Sequence, residues 1–474
     1  MTDDCCAGGG DAFDLAVIGA GSAGFSAAIT AAEAGLRVAL IGHGTIGGTC
    51  VNVGCVPSKA MIRAAEAVHG GAAAARFPGI GACRHAVDWP AVIAGKDALV
   101  AALRERKYAD LLPVWPGIRY VEEGPATLEP GGVRVGGRLL RAPRVIIATG
   151  SRPSVPAIPG IGSVPTLDST TLLALDRLPR SLIFLGGGYV GAELAQMMAR
   201  MGVEVTMVCR SDLLPRAEPE ASAALAAAFR AEGITLHCGL RPTGCRAEGG
   251  RAVLTLEDGA RGLELAADHL VLATGRIPNT EGLGLSAMGI ATDRHGAIVV
   301  GDDMQTSRPG IYAAGDVTDR DRFVYMAALG GRIAALNAMG GDERCDNAAM
   351  PWVVFTDPQL AGVGLTEAAA RAAGFEVRSS VLGLDALPRA LAARDSRGVI
   401  KLVADARTDR LLGGVICAPE GADSIQTLAL ALRFGMRARD LAATVFPYLT
   451  TVEGLKLAAQ GFQRDIARLS CCAG

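Results

Sequence analysis

Two pairs of cysteines are the residues of this chain best suited to chemistry. Cys50 and Cys55 enclose the residues VNVG and are followed by the segment 57–59, whereas Cys471 and Cys472 are adjacent near the C-terminus. Thiolates are the ligands that soft ions such as Hg(II), Cu(I) and Zn(II) prefer, and adjacent cysteines on a short tail can deliver such an ion without releasing it. Neighbouring cysteines also form a disulfide only with strain. The two pairs therefore predict a soft-metal substrate, and the alternative for the tail is a frayed terminus with incidental cysteines.

The first pair lies in a segment that predicts the start of a helix. Pro57 is well placed in a first helical turn, and Lys59 follows two residues later. A thiol at a helix N-terminus near a lysine has its thiolate form stabilised, which suits nucleophilic attack and charge transfer to a flavin. The alternative is a pair of buried core cysteines, which the surrounding glycines and the lysine disfavour.

A glycine fingerprint occurs twice, each time between an apolar strand and a helix. The first copy follows a strand at 14–18 and opens a helix predicted to end near Ala34; the second follows a strand at 181–185 and opens a helix predicted to end near Met201. The fingerprint glycines are Gly19, Gly21 and Gly24 in the first copy and Gly186, Gly188 and Gly191 in the second. Such glycines let the backbone approach a pyrophosphate, whose charge the helix N-terminus stabilises. Two copies between strand and helix predict two bound dinucleotides.

The first fingerprint lacks the acidic residue that usually holds the adenine ribose about 20 residues further on. Its second strand ends instead in Ile41, Gly42 and His43. We therefore predict that His43 or backbone groups anchor the ribose and that the adenosine end binds more weakly than the fingerprint usually implies. Gly42→Glu is then expected to strengthen binding.

The second fingerprint also lacks the acid, and basic residues stand near its place. Its second strand is followed by Arg210, with Arg216 further along the chain. Guanidinium groups bind a 2'-phosphate that a carboxylate would repel. NADPH is therefore predicted rather than NADH, unless both arginines are only solvated surface residues.

Length and charge exclude several classes of function. The chain has 474 residues, enough for two to four domain cores, and its 46 basic and 48 acidic residues give a net charge of -2. This charge gives no field that would attract nucleic acid or an anionic membrane. The N-terminus is no secretory signal and the apolar runs are interrupted, so we expect a cytoplasmic protein without a membrane span. In a reducing compartment, closely spaced members of the 12 cysteines are expected to be catalytic or metal-binding.

The motifs resemble those of a known family. The segment 47–59, GGTCVNVGCVPSK, resembles the active-site segment of the class-I pyridine nucleotide-disulfide oxidoreductases, which include glutathione reductase and lipoamide dehydrogenase. The segment 312–316, YAAGD, resembles that family's second FAD segment. The resemblance spans the chain from about Phe13 to its end. It implies a homodimeric flavoenzyme that uses FAD and NADPH.

The resemblance also implies roles for individual residues. Cys55 is expected beside the flavin with Cys50 as the exchange thiol, Lys59 and Glu193 are expected to pair near flavin N5, and Tyr189 is expected to gate the nicotinamide pocket. Asp316 is expected on the ribitol chain of FAD. The other positions expected to contact a cofactor are Gly44, Thr49, Ala126, Thr149, Gly150, Gly275 and Val324.

Domain boundaries follow from the motifs and the resemblance. Proline-containing turns at 152–153 and 276–278 each follow an apolar strand and an Ala-Thr-Gly segment, and beyond about Cys345 no further fingerprint occurs. We predict an α/β fold with two Rossmann-like domains and a C-terminal α+β domain. The predicted divisions are a flexible tail at 1–12, a FAD-binding domain at 13–150, an NADPH-binding domain at 151–275, a second FAD-binding or central part at 276–344, and a dimerisation domain at 345–474 that carries the Cys-Cys tail.

One position separates branches of the family. Disulfide reductases carry a histidine five residues before a glutamate near the C-terminus, whereas this chain has Tyr448 before Glu453. Tyrosine, with a pKa of about 10, is a poor general base near neutrality. Tyr448 and the terminal cysteines are similar to those of the branch that reduces Hg(II).

That likeness implies a route for the metal. Hg(II) would pass from Cys471 and Cys472 of one subunit to Cys50 and Cys55 of the other, and leave as Hg(0). The alternatives are a disulfide reductase and a flavoprotein that sequesters soft metals without catalysis. Cys5 and Cys6 are either a second capture pair or part of a tail, and Cys83, Cys238, Cys245, Cys345 and Cys417 are expected to be packing residues.

Overall fold

The computed structural model describes residues 11–258 and 261–468. The helices in this part of the chain are α1 (Ser22–Glu33), α2 (Gly48–Asn52), α3 (Cys55–Ala73), α4 (Trp89–Lys107), α5 (Ser169–Leu172), α6 (Tyr189–Arg200), α7 (Pro219–Ala231), α8 (Val324–Ala338), α9 (Glu367–Ala372), α10 (Pro388–Ala393), α11 (Gly421–Arg433), α12 (Ala438–Ala443) and α13 (Glu453–Gln460).

The strands of the same residues are β1 (Leu15–Ile18), β2 (Val38–Ile41), β3 (Ile118–Val121), β4 (Ala126–Glu129), β5 (Gly132–Val135), β6 (Arg138–Arg141), β7 (Val145–Ile147), β8 (Ser151–Pro153), β9 (Thr166–Leu167), β10 (Ser181–Leu185), β11 (Glu204–Cys209), β12 (Thr235–Cys238), β13 (Arg241–Glu248), β14 (Arg251–Asp258), β15 (Arg261–Ala267), β16 (His269–Leu272), β17 (Arg276–Pro278), β18 (Ile311–Ala313), β19 (Pro351–Val354), β20 (Gln359–Gly364), β21 (Val377–Gly383), β22 (Val399–Asp405) and β23 (Leu411–Ala418).

The described residues fall into two compact units. The first comprises residues 11–60, 93–154 and 275–346, and the second comprises 61–92, 155–258, 261–274 and 347–468.

The first unit is built on a parallel sheet with the strand order β18-β7-β1-β2-β3. All four residues of β1 and of β2 are buried, as expected for strands covered on both faces. Helix α1 packs closely on α8, because a side chain at Gly331 would overlap the carbonyl oxygen of Ala23. The antiparallel strands β4, β5 and β6 are inserted between β3 and β7.

The second unit repeats this design. Its parallel sheet has the order β9-β16-β10-β11-β12, in which β10, β11 and β12 correspond to β1, β2 and β3. The antiparallel strands β13, β14 and β15 stand between β12 and β16, in the same place as the insertion of the first unit. The predicted α/β fold with two Rossmann-like sheets is therefore confirmed.

The second unit also contains the C-terminal part of the chain. A five-stranded antiparallel sheet has the order β19-β20-β23-β22-β21 and packs against α11 and α13. Lys401 in β22 is 3% exposed and pairs with three carboxylates, of Glu218 at 3.0 Å, Glu220 at 2.9 Å and Glu367 at 3.0 Å. Because a buried charge is costly unless paired, this cluster joins β22 firmly to the start of α7.

Small differences from the sequence predictions have local causes. The turns expected at Arg152-Pro153 and Arg276-Ile277-Pro278 are two short strands, β8 and β17, which pair with each other. Proline is tolerated there because a two-stranded ribbon leaves edges that need no donor. Helices α1 and α6 end one residue earlier than predicted, at Glu33 and Arg200. Among the helices of residues 11–258 and 261–468, none is both long and apolar enough to span a membrane.

Candidate functional site

The thiol pair of the first unit lies at the junction of two helices. Cys50 is inside α2, and Cys55 is the first residue of α3. Gly47 caps α2 in the left-handed conformation, with φ of 96°, and its N–H donates to Ala20 O at 2.8 Å. A Cβ at Gly48 would lie 2.7 Å from the Cα of Gly21, so α2 rests directly on the glycine fingerprint.

Asn52 holds α2 in place, and the sequence analysis missed it. Its Nδ2 donates to Ile46 O and to Gly48 O, both at 2.9 Å. Arg104 Nη1 donates to Asn52 Oδ1 at 3.2 Å. In the sequence, only its position between Cys50 and Cys55 could have indicated that Asn52 matters for the site. The polar side chain braces the loop between the thiols.

Cys50 and Cys55 are not joined by a disulfide in the structure. A hydrogen bond to Cys55 raises the pKa of the Cys50 thiol, burial and the charge of Cys55 act in the same direction, and Lys59 opposes them. The raised pKa of Cys50 therefore belongs to the second of the two protons that the pair can lose. The second proton leaves this pair readily only when a cation replaces it.

The first fingerprint forms a cradle that fits a dinucleotide. A side chain at Gly19, where φ is 116°, would overlap the carbonyl oxygen of Ala148, and one at Gly24 would overlap Gly19 O. Gly21 is the N-cap of α1, so the helix N-terminus begins at the middle glycine. These are the close turn, the close packing and the open helix end that a pyrophosphate requires.

Thr149 and Gly150, two of the positions expected to contact FAD, lie where the chain leaves the parallel sheet of the first unit. Thr149 Oγ1 donates to Asn279 O at 2.7 Å, and Asn279 Nδ2 donates back to Thr149 O at 2.9 Å. Gly150 and Gly275 have φ of 71° and 125°, and the space beside each Cα is open. Asn279 was missed by the sequence analysis.

Asp316 lies in a polar cluster of the same unit. Ser151 Oγ donates to its Oδ2 at 2.7 Å, and Arg276 Nε is 3.7 Å from the same oxygen. Arg276 also donates to Ser151 Oγ at 2.7 Å and to Ser151 O at 2.6 Å. This cluster fixes the direction of the carboxylate.

The remaining expected positions of the first unit are spread over its surface and core. Gly44 follows β2 with φ of 87° and open space beside it, Thr49 is in α2, Lys59 is in the first turns of α3, Ala126 is buried at the start of β4, and Val324 is the first residue of α8.

A tyrosine occupies the place of the absent ribose-binding acid. A Cβ at Gly42 would overlap the hydroxyl of Tyr120 and would lie 2.6 Å from its Cζ. Tyr120 is in β3, paired with Leu40 of β2, and its buried hydroxyl has no hydrogen-bond partner within the described residues. His43, the residue expected to anchor the ribose, is exposed. Gly42→Glu as a single change would therefore clash with Tyr120.

The second fingerprint has the same geometry in the second unit. Side chains at Gly186 and Gly191 would overlap the carbonyl oxygens of Ala273 and Gly186, whereas the space beside Gly188 is open. Leu214 N–H donates to Gly187 O at 2.8 Å, so the segment after β11 folds back over the fingerprint. This segment carries Arg210 and Arg216, which are both exposed.

Other expected residues of the second unit have defined contacts. The ring of Tyr189 stacks on Trp352, with centroids 5.5 Å apart. Glu193 is 6% exposed and accepts a hydrogen bond from Phe355 N–H at 2.9 Å. Tyr448 is 47% exposed and precedes Leu449, whose N–H donates to Glu453 Oε2 at 3.2 Å.

The cysteines outside the first pair are placed unevenly. Cys471, Cys472, Cys5 and Cys6 lie outside the described residues. Cys417 is fully buried, as expected of a packing residue, but Cys83 is exposed, because it lies in an irregular segment after α3. In the part of the chain that the structure describes, no group of three or more His, Cys, Asp or Glu side chains is arranged to hold a metal ion.

Comparison with known proteins agrees with this geometry. The family model described as pyridine nucleotide-disulphide oxidoreductase matches residues 13–337, and the model of its dimerisation domain matches residues 350–459. The mercuric reductase of Streptomyces lividans is 47% identical to the chain and is covered over 98% of both lengths. That of Acidithiobacillus ferrooxidans is 45% identical, over 98% of this chain and 85% of its own length. The solved structure of the HOCl-induced flavoprotein disulfide reductase RclA from Escherichia coli aligns with a TM-score of 0.83 at 31% identity, over 94% of this chain and 99% of that chain.

Proposed function

The chain belongs to the pyridine nucleotide-disulphide oxidoreductase family, and from this premise we propose that it reduces Hg(II) to Hg(0) with electrons from NADPH. One NADPH and one Hg(II) give NADP⁺, one proton and Hg(0), so two electrons move in each turnover. The observation that carries the proposal is identity of 47% and 45% with mercuric reductases over 98% of this chain.

The thiol pair is the proposed site of reduction. Cys50 and Cys55 interact through their side chains, so in the reduced pair a soft cation can replace the protons and bind both sulfurs. Asn52 and Gly48 hold the helix that carries Cys50 against the fingerprint. Bound FAD would supply the two-electron carrier between the nicotinamide and the metal. The glycine cradle around Gly19 and Gly24 positions that cofactor.

The second unit is the proposed NADPH site. Gly186, Gly188 and Gly191 form its cradle, and Arg210 and Arg216 are exposed cations beside it. Two guanidinium groups and no acid at the end of β11 favour the 2'-phosphate. Tyr189 is proposed to gate the nicotinamide pocket by moving from its stack on Trp352.

The metal is proposed to reach the active pair through the C-terminal tail. Cys471 and Cys472 would take Hg(II) from a small thiol and pass it to Cys50 and Cys55 of the partner subunit in a homodimer. Exchange between dithiolate pairs replaces one metal–sulfur bond by another, so no step releases a bare ion. A match to the dimerisation domain over residues 350–459 supports the dimer. A cytoplasmic location, where NADPH and small thiols are abundant, goes with this route.

Further roles extend the proposal to single residues. Lys59 and Glu193 would pair near flavin N5, Asp316 would bind the ribitol chain, and Tyr448 would orient the metal–thiolate complex without acting as a base. The division into FAD-binding parts at 13–150 and 276–344, an NADPH-binding domain at 151–275 and a dimerisation domain at 345–474 belongs to the same proposal.

Two other functions use the same features. A disulfide reductase is favoured by the likeness to RclA, which is a flavoprotein disulfide reductase. A flavoprotein that sequesters metal would bind Hg(II) stoichiometrically without oxidising NADPH.

The test separates the three functions in one assay. The purified protein is mixed with FAD, NADPH and Hg(II) in excess small thiol, and NADPH absorbance and volatilised mercury are followed together. Mercury-dependent oxidation with release of Hg(0), lost in Cys50→Ala/Cys55→Ala and reduced in Cys471→Ala/Cys472→Ala, is the expected result. Oxidation driven by a disulfide and only inhibited by mercury, or binding without oxidation, would contradict it.

A further inference from the structure

The ends of β11 and β12 bring together two thiols that the proposed reaction does not use. Cys209 and Cys238 are the last residues of these parallel strands and are paired in register. The two side chains are close enough to interact, since Cys238 helps to raise the pKa of Cys209. Cys209 is 1% exposed, whereas Cys238 is partly exposed and gives solvent access to the pair.

This pair lies directly against the second glycine fingerprint. A Cβ at Gly187 would be 2.5 Å from Cys209 Sγ and 3.4 Å from Asp212 O. The N–H of Leu214 donates to Gly187 O at 2.8 Å and closes the loop that follows Cys209. Any ligand on Cys209 therefore presses on the turn that is proposed to hold NADPH.

The register of the two strands places the two thiols side by side, within reach of one linear two-coordinate ion. Neighbouring strands are about 4.8 Å apart. A linear sulfur–metal–sulfur unit spans about 4.6 Å when its bonds have the length that Zn(II) makes to cysteine. Two thiols suffice for such an ion, so the lack of a third ligand is no obstacle.

We propose that Cys209 and Cys238 form a second Hg(II) site, distinct from Cys50 and Cys55, whose occupation weakens nucleotide binding. Two S–H bonds break, two metal–sulfur bonds form and two protons pass to solvent, with no electron transferred. The inference rests on the proposed NADPH role of this unit. It makes the substrate an inhibitor when free Hg(II) exceeds what the active pair and the tail can bind.

The experiment uses the full-length, FAD-loaded chain with Cys50→Ala/Cys55→Ala, which prevents turnover. NADPH affinity is measured by fluorescence titration with and without HgCl₂. We expect HgCl₂ to raise the Kd for NADPH at least tenfold in this background. In the same background with Cys209→Ala/Cys238→Ala, the Kd should be the same with and without HgCl₂. A matched control with Cys245→Ala/Cys345→Ala should keep the full mercury effect.

Two results would overturn the second site. Mercury that weakens NADPH binding equally with and without Cys209 and Cys238, or that has no effect in either, contradicts it. Native mass spectrometry gives an independent count, with one Hg(II) fewer expected after Cys209→Ala/Cys238→Ala. Failure of NADPH to bind before mercury is added would contradict the proposed function. The number of bound Hg(II) ions would still show whether Cys209 and Cys238 form a mercury site.

An independent observation in the first unit concerns the missing ribose anchor. The hydroxyl of Tyr120 is buried without a partner among the described residues and lies over Gly42, where the acid of the fingerprint would begin. Burial, with the charge of Glu122, raises the pKa of Tyr120, so the hydroxyl keeps its proton and can donate as well as accept. A buried hydroxyl left without a partner costs free energy.

We infer that the Tyr120 side chain shifts when FAD binds, so that its hydroxyl takes the place of the acid and hydrogen-bonds the adenosine ribose. FAD affinity of the apoprotein, measured by flavin fluorescence, is expected to fall threefold to tenfold in Tyr120→Phe, which keeps the ring and removes the hydroxyl. His43→Ala, the matched control, should leave it unchanged. A loss in His43→Ala with none in Tyr120→Phe would assign the ribose to His43 and overturn the inference.

Discussion

The parallel sheets of the two units have the same strand order, and neither has a ribose-binding acidic residue at the end of its second strand. The residues found at that strand end differ between the two units. In the first unit Tyr120 reaches from β3 over Gly42, and in the second Cys238 of β12 meets Cys209 of β11. In both, a residue from the third strand lies beside the position where the acid would stand. The ends of these strands can therefore change ligand preference while the glycine cradles stay the same.

The largest effects should come from the first glycine of each cradle. Gly19→Ala and Gly186→Ala would each place a methyl group against a backbone carbonyl oxygen, and both glycines have φ above 110°. Because the clashing atoms belong to the backbone, no side-chain movement can relieve the contact. Left-handed backbone alone costs about 1–2 kcal/mol for a residue other than glycine. We expect Gly19→Ala to lose bound FAD, and Gly186→Ala to keep FAD and bind NADPH at least tenfold more weakly.

Flavin content of the purified protein and NADPH titration measure the two outcomes. Loss of both cofactors in both variants would mean that the cradles are not independent.

The next effect tests the charges of the second unit. Arg210→Ala/Arg216→Ala should raise the Kd for NADPH about tenfold or more, because a hydrogen bond to a charged group contributes about 1.5–3 kcal/mol. The Kd for NADH should stay the same, since NADH has no 2'-phosphate. An equal rise of the Kd for NADPH and for NADH would show that the two arginines do not bind the 2'-phosphate.

The thiol of Cys209, at the strand end of the second unit, should react slowly with alkylating agents, although a soft metal ion can still displace its proton. Burial, together with Cys238 and Asp212, raises the pKa of Cys209 to about 12. Below that pH the thiol is protonated, so its alkylation by iodoacetamide should rise about tenfold per pH unit and be very slow near neutrality. Peptide mass mapping against the exposed Cys83 measures this, and equal rates for the two near neutral pH would contradict it.

The smallest effect is expected at Gly42. Gly42→Ala meets the end of the Tyr120 side chain rather than backbone, and no positive φ is involved. The ring can shift, so we expect the free energy of unfolding to fall by less than about 1 kcal/mol, much less than for Gly19→Ala. Urea denaturation of both variants makes the comparison, and equal losses would show that Tyr120 is held as rigidly as the backbone.

Local sequence patterns predicted the two strand–glycine–helix units well. They could not predict contacts between residues that are distant in the sequence. Strand, glycine turn and helix follow one another in sequence, so both units and their cradles could be identified from hydrophobic runs and glycine spacing. Tyr120 and Gly42 are joined only through the pairing of β2 with β3, and Cys209 meets Cys238 only through the register of β11 and β12. Sequence reasoning treated Cys238 as packing and did not consider Tyr120, because neither lies near a motif.

The contact between Gly21 and Gly48 has a consequence for redesign of the thiol site. A side chain at Gly48 would lie 2.7 Å from the Cα of Gly21, at φ of 67°, so the nucleotide turn and the thiol helix are in backbone contact. A side chain at Gly48 would separate the two segments, whereas one at Gly21 would meet the Cα of Gly48 at 3.5 Å, which is an ordinary contact. Libraries that aim to change metal specificity should therefore vary the residues around Cys50 while keeping Gly48.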